Sequence, residues 1–287
     1  MRPTMRVLEP GPLTTVQDLG RAGLAHLGVG HSGACDQLAI RLANRIVGNR
    51  ESAAALEVTI GGLGLRFSHG TWIAFTGARA PLTVDGRAGS FFGPVFAPAG
   101  GELRVGLSKE GMRSYLAVRG GVDVRPVLGS RSTDLLNGIG PSVLRAGDVV
   151  VVGDEMDGPV AAIDLVPTRA IDSEPVLGLA LEPRPEWFTA DALEKLVDAT
   201  WEVSRDSNRI GVRLIGPMLE RAQLGELPSE GLVAGAIQIP PSGQPVLFLA
   251  DHPVTGGYPV IAILRQASLP AAAQLRLGQR LHFRLAR

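Results

Sequence analysis

A mainly β protein with few helices, arranged as two β-barrel-like lobes, is the fold class this sequence predicts, and three observations carry it. The chain of 287 residues is 45% hydrophobic but only 5% aromatic, with 37 glycines and 21 prolines. Aliphatic strands joined by many turns fit that composition better than a helical bundle. Between Glu57 and Gly153 turn signals recur at intervals of roughly ten residues, the spacing of a barrel or sandwich and not of an alternating βαβ sheet. Finally, Asp154, Glu155, Asp157, Asp164, Asp172 and Glu174 accumulate with Pro159, Pro167 and Pro175. A solvated linker accounts for these acids, and it places the lobes at residues 1–160 and 161–287.

Along the first lobe, Arg6-Val7-Leu8 reads as a short strand. The run Pro12 to Arg21 is too polar for a core strand, with Thr14, Thr15, Gln17, Asp18 and Arg21 close together. It reads as a loop that presents groups, or as a turn in which Asp18 pairs with Arg21. Asp36 caps a helix over Gln37 to Val47 that turns Leu38, Leu42 and Ile46 inward beside Ala39, Ala43 and Val47. Gly48 ends it, because a glycine accepts the left-handed conformation that follows a helix. Asn44, Asn49 and Glu57 stand among apolar neighbours as structural hydrogen-bonding groups. Strands follow at Trp72–Thr76, Leu82–Val84 with an Asp85-Gly86 turn, Leu103–Leu107, Ser114–Val118 and Asp148–Val152. Arg119-Gly120-Gly121 and Gly129-Ser130-Arg131-Ser132-Thr133 could each bind an anion, or be a bulge and an exposed loop.

The second lobe opens with a strand at Val176–Ala180, then a helix from Ala190 to Val197 with Thr189 at its cap and a strand at Thr200–Ser204. Arg209 and Arg213 flank Gly211, a second possible anion clamp. Gly235–Ile239 and Val246–Ala250 are separated by Pro240-Pro241-Ser242-Gly243-Gln244 and read as a hairpin. The second strand runs into Asp251-His252-Pro253-Val254-Thr255-Gly256-Gly257-Tyr258-Pro259, a loop that either presents polar groups or makes a tight turn capped by Asp251. Leu281–Leu285 alternates as a half-buried closing strand.

Several functions are excluded on composition. The 28 basic and 28 acidic residues cancel without a basic block, so neither nucleic acid nor an anionic membrane is an expected partner. The single cysteine, Cys35, rules out an internal disulfide framework and a cysteine-based zinc site, and the five histidines are too dispersed to suggest a metal. No phosphate-binding glycine loop and no nucleophile elbow is present. The amino terminus lacks a signal-type apolar segment, which leads to the expectation of a cytoplasmic protein.

The segments Thr14–Arg21, Ala43–Asn49, Tyr115–Gly121, Gly129–Thr133, Ser207–Arg209, Ser229–Gly231, Gly235–Gln238 and Thr255–Pro259, in this order, resemble the family of KipA and the C subunit of 5-oxoprolinase. That family is also called allophanate hydrolase subunit 2, or the biotin-dependent carboxyltransferase-like family. The resemblance spans nearly the whole chain and implies lobes related to the cyclophilin fold, a cyclophilin-like barrel included. It implies a KipI-like B subunit and a LamB/YcsF-type A subunit as partners, in an ATP-dependent assembly that opens the lactam of 5-oxo-L-proline to L-glutamate. It also admits a carboxyltransferase component of a urea amidolyase-like enzyme, or a regulator that binds a KipI-like kinase inhibitor. Lys109 and Lys195 lack a biotin-attachment context, so biotin would arrive on a partner chain.

Under the resemblance Asp18, Asp251 and Arg119 are the catalytic candidates, with the two aspartates orienting a water or an ammonium. Thr15, Gln17, Arg21, Arg209, Arg213, Gln238, Thr255, Gly256, Gly257 and Tyr258 are the substrate-binding candidates, the arginines as holders of phosphate. The sequence departs from the family pattern at His252-Pro253, Val254 and Ser268.

Overall fold

The structure is a computed structural model that describes residues 2–168, 170–181, 184–223, 225 and 227–285. Its contacts form two compact units, one of Met1–Arg21, Ser32–Asp134 and Gly138–Ile171, the other of Ala22–His31, Leu135–Asn137 and Asp172–Arg287. The main passage between them at Ile171 and Asp172 lies a little beyond the 160/161 boundary expected from composition.

In the first unit the strands are β1 (Thr4–Pro10), β2 (Leu13–Gln17), β3 (Ala55–Thr59), β4 (Leu63–Phe67), β5 (Thr71–Gly77), β6 (Leu82–Val84), β7 (Arg87–Ala88), β8 (Pro94–Ala97), β9 (Glu102–Val105), β10 (Arg113–Val118) and β11 (Val149–Val151), with helix α1 (Gln37–Ile46) after β2. They form a six-stranded sheet, β11-β1-β4-β9-β6-β7, and a five-stranded sheet, β2-β3-β10-β5-β8. Because side chains alternate along a strand, each sheet offers one face to the other. Met5, Val7, Leu63, Leu65 and Leu103 of the first sheet share one core with Val16, Leu56, Ile73, Phe75, Leu116 and Val118 of the second. The opposite face of the five-stranded sheet, through Ala55, Ala74, Tyr115 and Ala117, receives Ile40, Ala43 and Ile46 of α1. Strand β10 is therefore covered on both faces and buried along its whole length.

Two expectations change here. The helix has the anticipated ends, with Asp36 accepting the Ala39 amide at 3.0 Å and Gly48 at φ 71°. Its buried stripe, however, runs through Ala39, Ile40, Ala43, Asn44 and Ile46 and leaves Leu38 64% exposed. A four-residue spacing drifts off a 3.6-residue helix, so Leu38 falls outside the stripe that Ile40 completes. The polar run Leu13–Gln17 is not a loop but β2, with Thr14, Thr15 and Gln17 buried. Distant backbone satisfies its outer edge: Thr133 donates its amide to Val16 O and Leu144 to Thr14 O, while Thr14 Oγ1 donates to Pro10 O. Polar groups with fixed partners can be buried at small net cost.

The second unit holds β12 (Val176–Leu181), α2 (Ala190–Asp198), β13 (Trp201–Val203), β14 (Gly211–Ile215), β15 (Glu230–Gly231), β16 (Ala236–Gln238), β17 (Val246–Phe248), β18 (Thr255–Gly256), β19 (Val260–Leu264), α3 (Leu269–Ala273) and β20 (Arg280–Leu285). Seven of these strands close a barrel in the order β12-β19-β16-β17-β14-β13-β20, and the parallel pair β12–β20 makes the seam. The hairpin read between Gly235 and Ala250 is β16–β17, registered Ile237 to Leu247 and Gln238 to Val246. Along β20, Leu281 and Phe283 are buried between exposed arginines, the alternation the sequence shows. Thr189 does occupy the N-cap of α2, yet its side chain makes no capping bond and approaches Glu220 O instead. Trp201 fills the space under that helix and donates Nε1–H to Leu196 O at 2.9 Å.

Candidate functional site

In the first unit the polar residues of the Thr14–Arg21 segment converge with the Ser130–Thr133 loop. Asp18 Oδ1 accepts from Gly20 N–H at 2.8 Å, Ser130 Oγ at 2.6 Å and Ser132 Oγ at 2.5 Å, and Oδ2 accepts Arg131 N–H at 2.6 Å. With both oxygens taken up by donors, the carboxylate is built to hold a loop. The anticipated Asp18–Arg21 turn is not what forms. Arg21 donates to Val127 O and Ser132 O, so its charge braces the same loop from the other side. Arg131 directs its guanidinium to Asp123 and Glu155.

Beside this loop β2 contributes Thr15 and Gln17. Gln17 Nε2 donates to Thr133 O and to Thr15 Oγ1, each at 3.0 Å, and Ser32 Oγ donates to the same Thr133 carbonyl at 3.2 Å. Among the described residues nothing donates to Gln17 Oε1. Leaving a buried acceptor unpaired costs about 1–3 kcal/mol.

A second buried network continues along the same sheet face, where register sets Thr15 and Tyr115 on either side of Glu57. Glu57 Oε2 accepts the Tyr115 hydroxyl at 2.8 Å and Cys35 N–H at 3.0 Å, and Arg113 Nε lies 3.6 Å from its other oxygen. The Tyr115 oxygen in turn accepts Asp36 N–H at 2.8 Å, which pins the start of α1 to the sheet. Sequence reasoning placed Glu57 as a structural group but missed Tyr115 and Arg113. The available signal was an acid and a phenol, each inside an apolar strand.

Burial, then the neighbouring Glu57 carboxylate, push the Tyr115 phenol well above its ordinary value of 10.0. The unfolded chain therefore loses this proton near pH 10 while the native state keeps it, and stability falls with rising pH from there. Tyr115→Phe is expected to flatten that fall, which approaches about 1.4 kcal/mol per pH unit. Urea midpoints taken from pH 8 to 11.5 on both proteins check it, and equal slopes would refute the assignment.

Arg119 directs its guanidinium at backbone carbonyls. Its Nη1 donates to Val47 O at 2.7 Å and its Nη2 to Gly158 O at 3.0 Å, so the guanidinium clamps the end of α1 to a later loop. Asn49 completes that clamp by donating to Val118 O and accepting Gly120 N–H.

In the second unit Arg209 and Asp251 meet as a two-pronged pair, Nε to Oδ2 at 2.9 Å and Nη2 to Oδ1 at 3.0 Å. Both side chains are closed to solvent, and Oδ2 also accepts Leu135 N–H at 3.2 Å. Arg213 does not join them. It stands on the exposed face of β14, so the expected double-arginine clamp reduces to Arg209 held by a carboxylate. Gln238 donates Nε2–H to Tyr258 O at 2.8 Å, and a Cβ on Gly256 would sit 2.5 Å from that same nitrogen, so a larger residue there would displace the amide. Thr255 and Tyr258 are exposed, while Gly257 is half-buried. His252, next to Asp251, turns Nδ1 toward Pro253 O at 2.8 Å and packs its ring against Phe248.

The sequence pattern of the family described as carboxyltransferase domain, subdomain A and B, matches residues 27–285. The chain is 39% identical to the C subunit of the Escherichia coli 5-oxoprolinase over 97% of its own length and 90% of that protein. It is 35% identical to the urea amidolyase of Saccharomyces cerevisiae, covering 96% of this chain but 16% of that one. The crystal structure of the K. lactis urea amidolyase superposes with a TM-score of 0.91 at 32% identity, over 99% of this chain and 19% of that chain. Matched over most of its length in sequence and over nearly all of it in fold, the chain belongs to the family of carboxyltransferase domains, subdomains A and B.

Proposed function

We propose that this chain is the C subunit of a 5-oxoprolinase that hydrolyses the lactam of 5-oxo-L-proline to L-glutamate together with two partner chains, its A and B subunits. The observation that carries the reading is reciprocal coverage: the match takes in 90% of the E. coli C subunit but 16% of a urea amidolyase. In the hydrolysis the ring C–N bond breaks, the hydroxyl of water goes to the carbonyl carbon and its proton to nitrogen.

The reading carries ATP dependence with it, and three of the four arginines named for phosphate are already held by protein groups. Arg21 and Arg119 are bonded to backbone carbonyls, Arg209 to Asp251, and Arg213 stands on an exposed strand face. In this reading the nucleotide is placed on a partner, either the KipI-like chain or the LamB/YcsF-type chain. Asp18, Asp251 and Arg119 act as positioning residues, because the bonds described for each of them hold a loop in place.

Co-expression with both partner chains, followed by assay of ADP and glutamate release from 5-oxoproline, tests the proposal. Glutamate is expected only from the complete assembly, at a rate more than about 100-fold that of the isolated chain, the loss expected when several required parts are absent together. No turnover by a folded assembly, or carboxylation of urea when a biotinylated partner is supplied, would overturn it in favour of the carboxyltransferase reading that the urea amidolyase likeness supports.

A further inference from the structure

Gln17 is a buried amide whose orientation is settled by its surroundings. Nε2 points at the Thr133 carbonyl, a group that can only accept, so the other atom must be the oxygen. That oxygen has no donor among the described residues, in a side chain with no solvent exposure. One residue pair away on the same strand face, Thr15 Oγ1 accepts the second Nε2 hydrogen, which leaves its own hydroxyl hydrogen to give. The Gln17 bond is the one that Thr15 Oγ1 makes among the described residues. An unmet acceptor and an unmet donor thus stand side by side. The cross-strand neighbour of Gln17 is Ala55, whose methyl group cannot reach over the amide to fill either need.

We infer that Thr15 and Gln17 form the subsite that recognises one edge of a cis amide, with Gln17 Oε1 accepting its N–H and Thr15 Oγ1 donating to its C=O. An open-chain secondary amide is trans and shows these two groups on opposite edges, whereas a small lactam is locked cis and shows both on one. The pair therefore selects a lactam over a peptide. The assignment rests on the 5-oxoprolinase reading and makes Gln17 a specificity-determining residue within it. Ser32 shares the Thr133 carbonyl with Gln17 and is held at φ 51°, a costly conformation for a residue with a side chain.

The test compares 5-oxoproline with its lactone analogue, in which a ring oxygen replaces N–H and the shape and carbonyl are kept. Affinities of the complete assembly for the two are measured by competition, with wild-type chain, Gln17→Met and Thr15→Val. The wild type is expected to prefer the lactam by about 10–100-fold, the range for a buried hydrogen bond left unmade. Gln17→Met is expected to bring that preference below about threefold, and Thr15→Val to weaken both ligands alike and keep it. A wild-type preference already below about threefold overturns the inference, whatever the variants do. So does a preference that survives in Gln17→Met, which would leave Oε1 to a buried water. Absence of measurable affinity for 5-oxoproline in a folded wild-type assembly would instead remove the function on which the subsite rests.

Discussion

Arg209→Ala is expected to lower the folding stability of the second unit by about 3–5 kcal/mol, the cost of removing one partner from a buried ion pair. The size follows from what is lost. Asp251 loses the two parallel bonds that its oxygens receive from Arg209, in a side chain without solvent exposure. Arg209→Lys is expected to recover less than half of the loss. A lysine ammonium cannot make the parallel Nε and Nη2 bonds that both carboxylate oxygens receive. Urea unfolding followed by tryptophan fluorescence is a suitable readout, since Trp201 is buried within this unit. A loss below about 1 kcal/mol would show that the pair is no better than an exposed one.

Asp18→Ala is expected to cost about 3 kcal/mol in the first unit, because the amides of Gly20 and Arg131 lose their acceptor in a largely buried place. The hydroxyls of Ser130 and Ser132 can rotate to other acceptors, and the two amides cannot. Asp18→Asn is the sharper variant. Both oxygens of Asp18 accept, so one asparagine position must present NH2 to a donor. It is expected to be nearly as harmful as alanine, and faster hydrogen exchange at the Arg131 amide should accompany it. A near-silent Asp18→Asn would mean that only one oxygen matters and that the loop is held by Arg21 instead.

Much of the fold was legible because its signals are local. The β16–β17 hairpin lies around a proline and glycine turn, β20 shows its alternation within six residues, and α1 carries both of its ends in sequence. The candidate site was legible in its residue types and less so in its bonds. Thr15, Gln17 and Asp18 were singled out, but the partners of this segment lie 106 to 116 residues away around Val127–Thr133, so no window of sequence could show that β2 is a buried strand. Arg119 and Arg209 looked alike as cations beside glycines. One clamps two carbonyls and the other meets a carboxylate 42 residues later, a difference that only tertiary contacts create. The pairing of Glu57 with Tyr115 was hidden for the same reason, since it is strand register that brings them opposite each other.

The seam of the barrel joins β12 to β20, and β13 rests on β20 as well. Two early strands therefore wait for a late one, and the cylinder cannot shut until that strand has left the ribosome. Up to that moment the half-built sheet exposes the apolar faces that Leu281 and Phe283 later cover, so the nascent second unit is at its most adhesive just before β20 emerges.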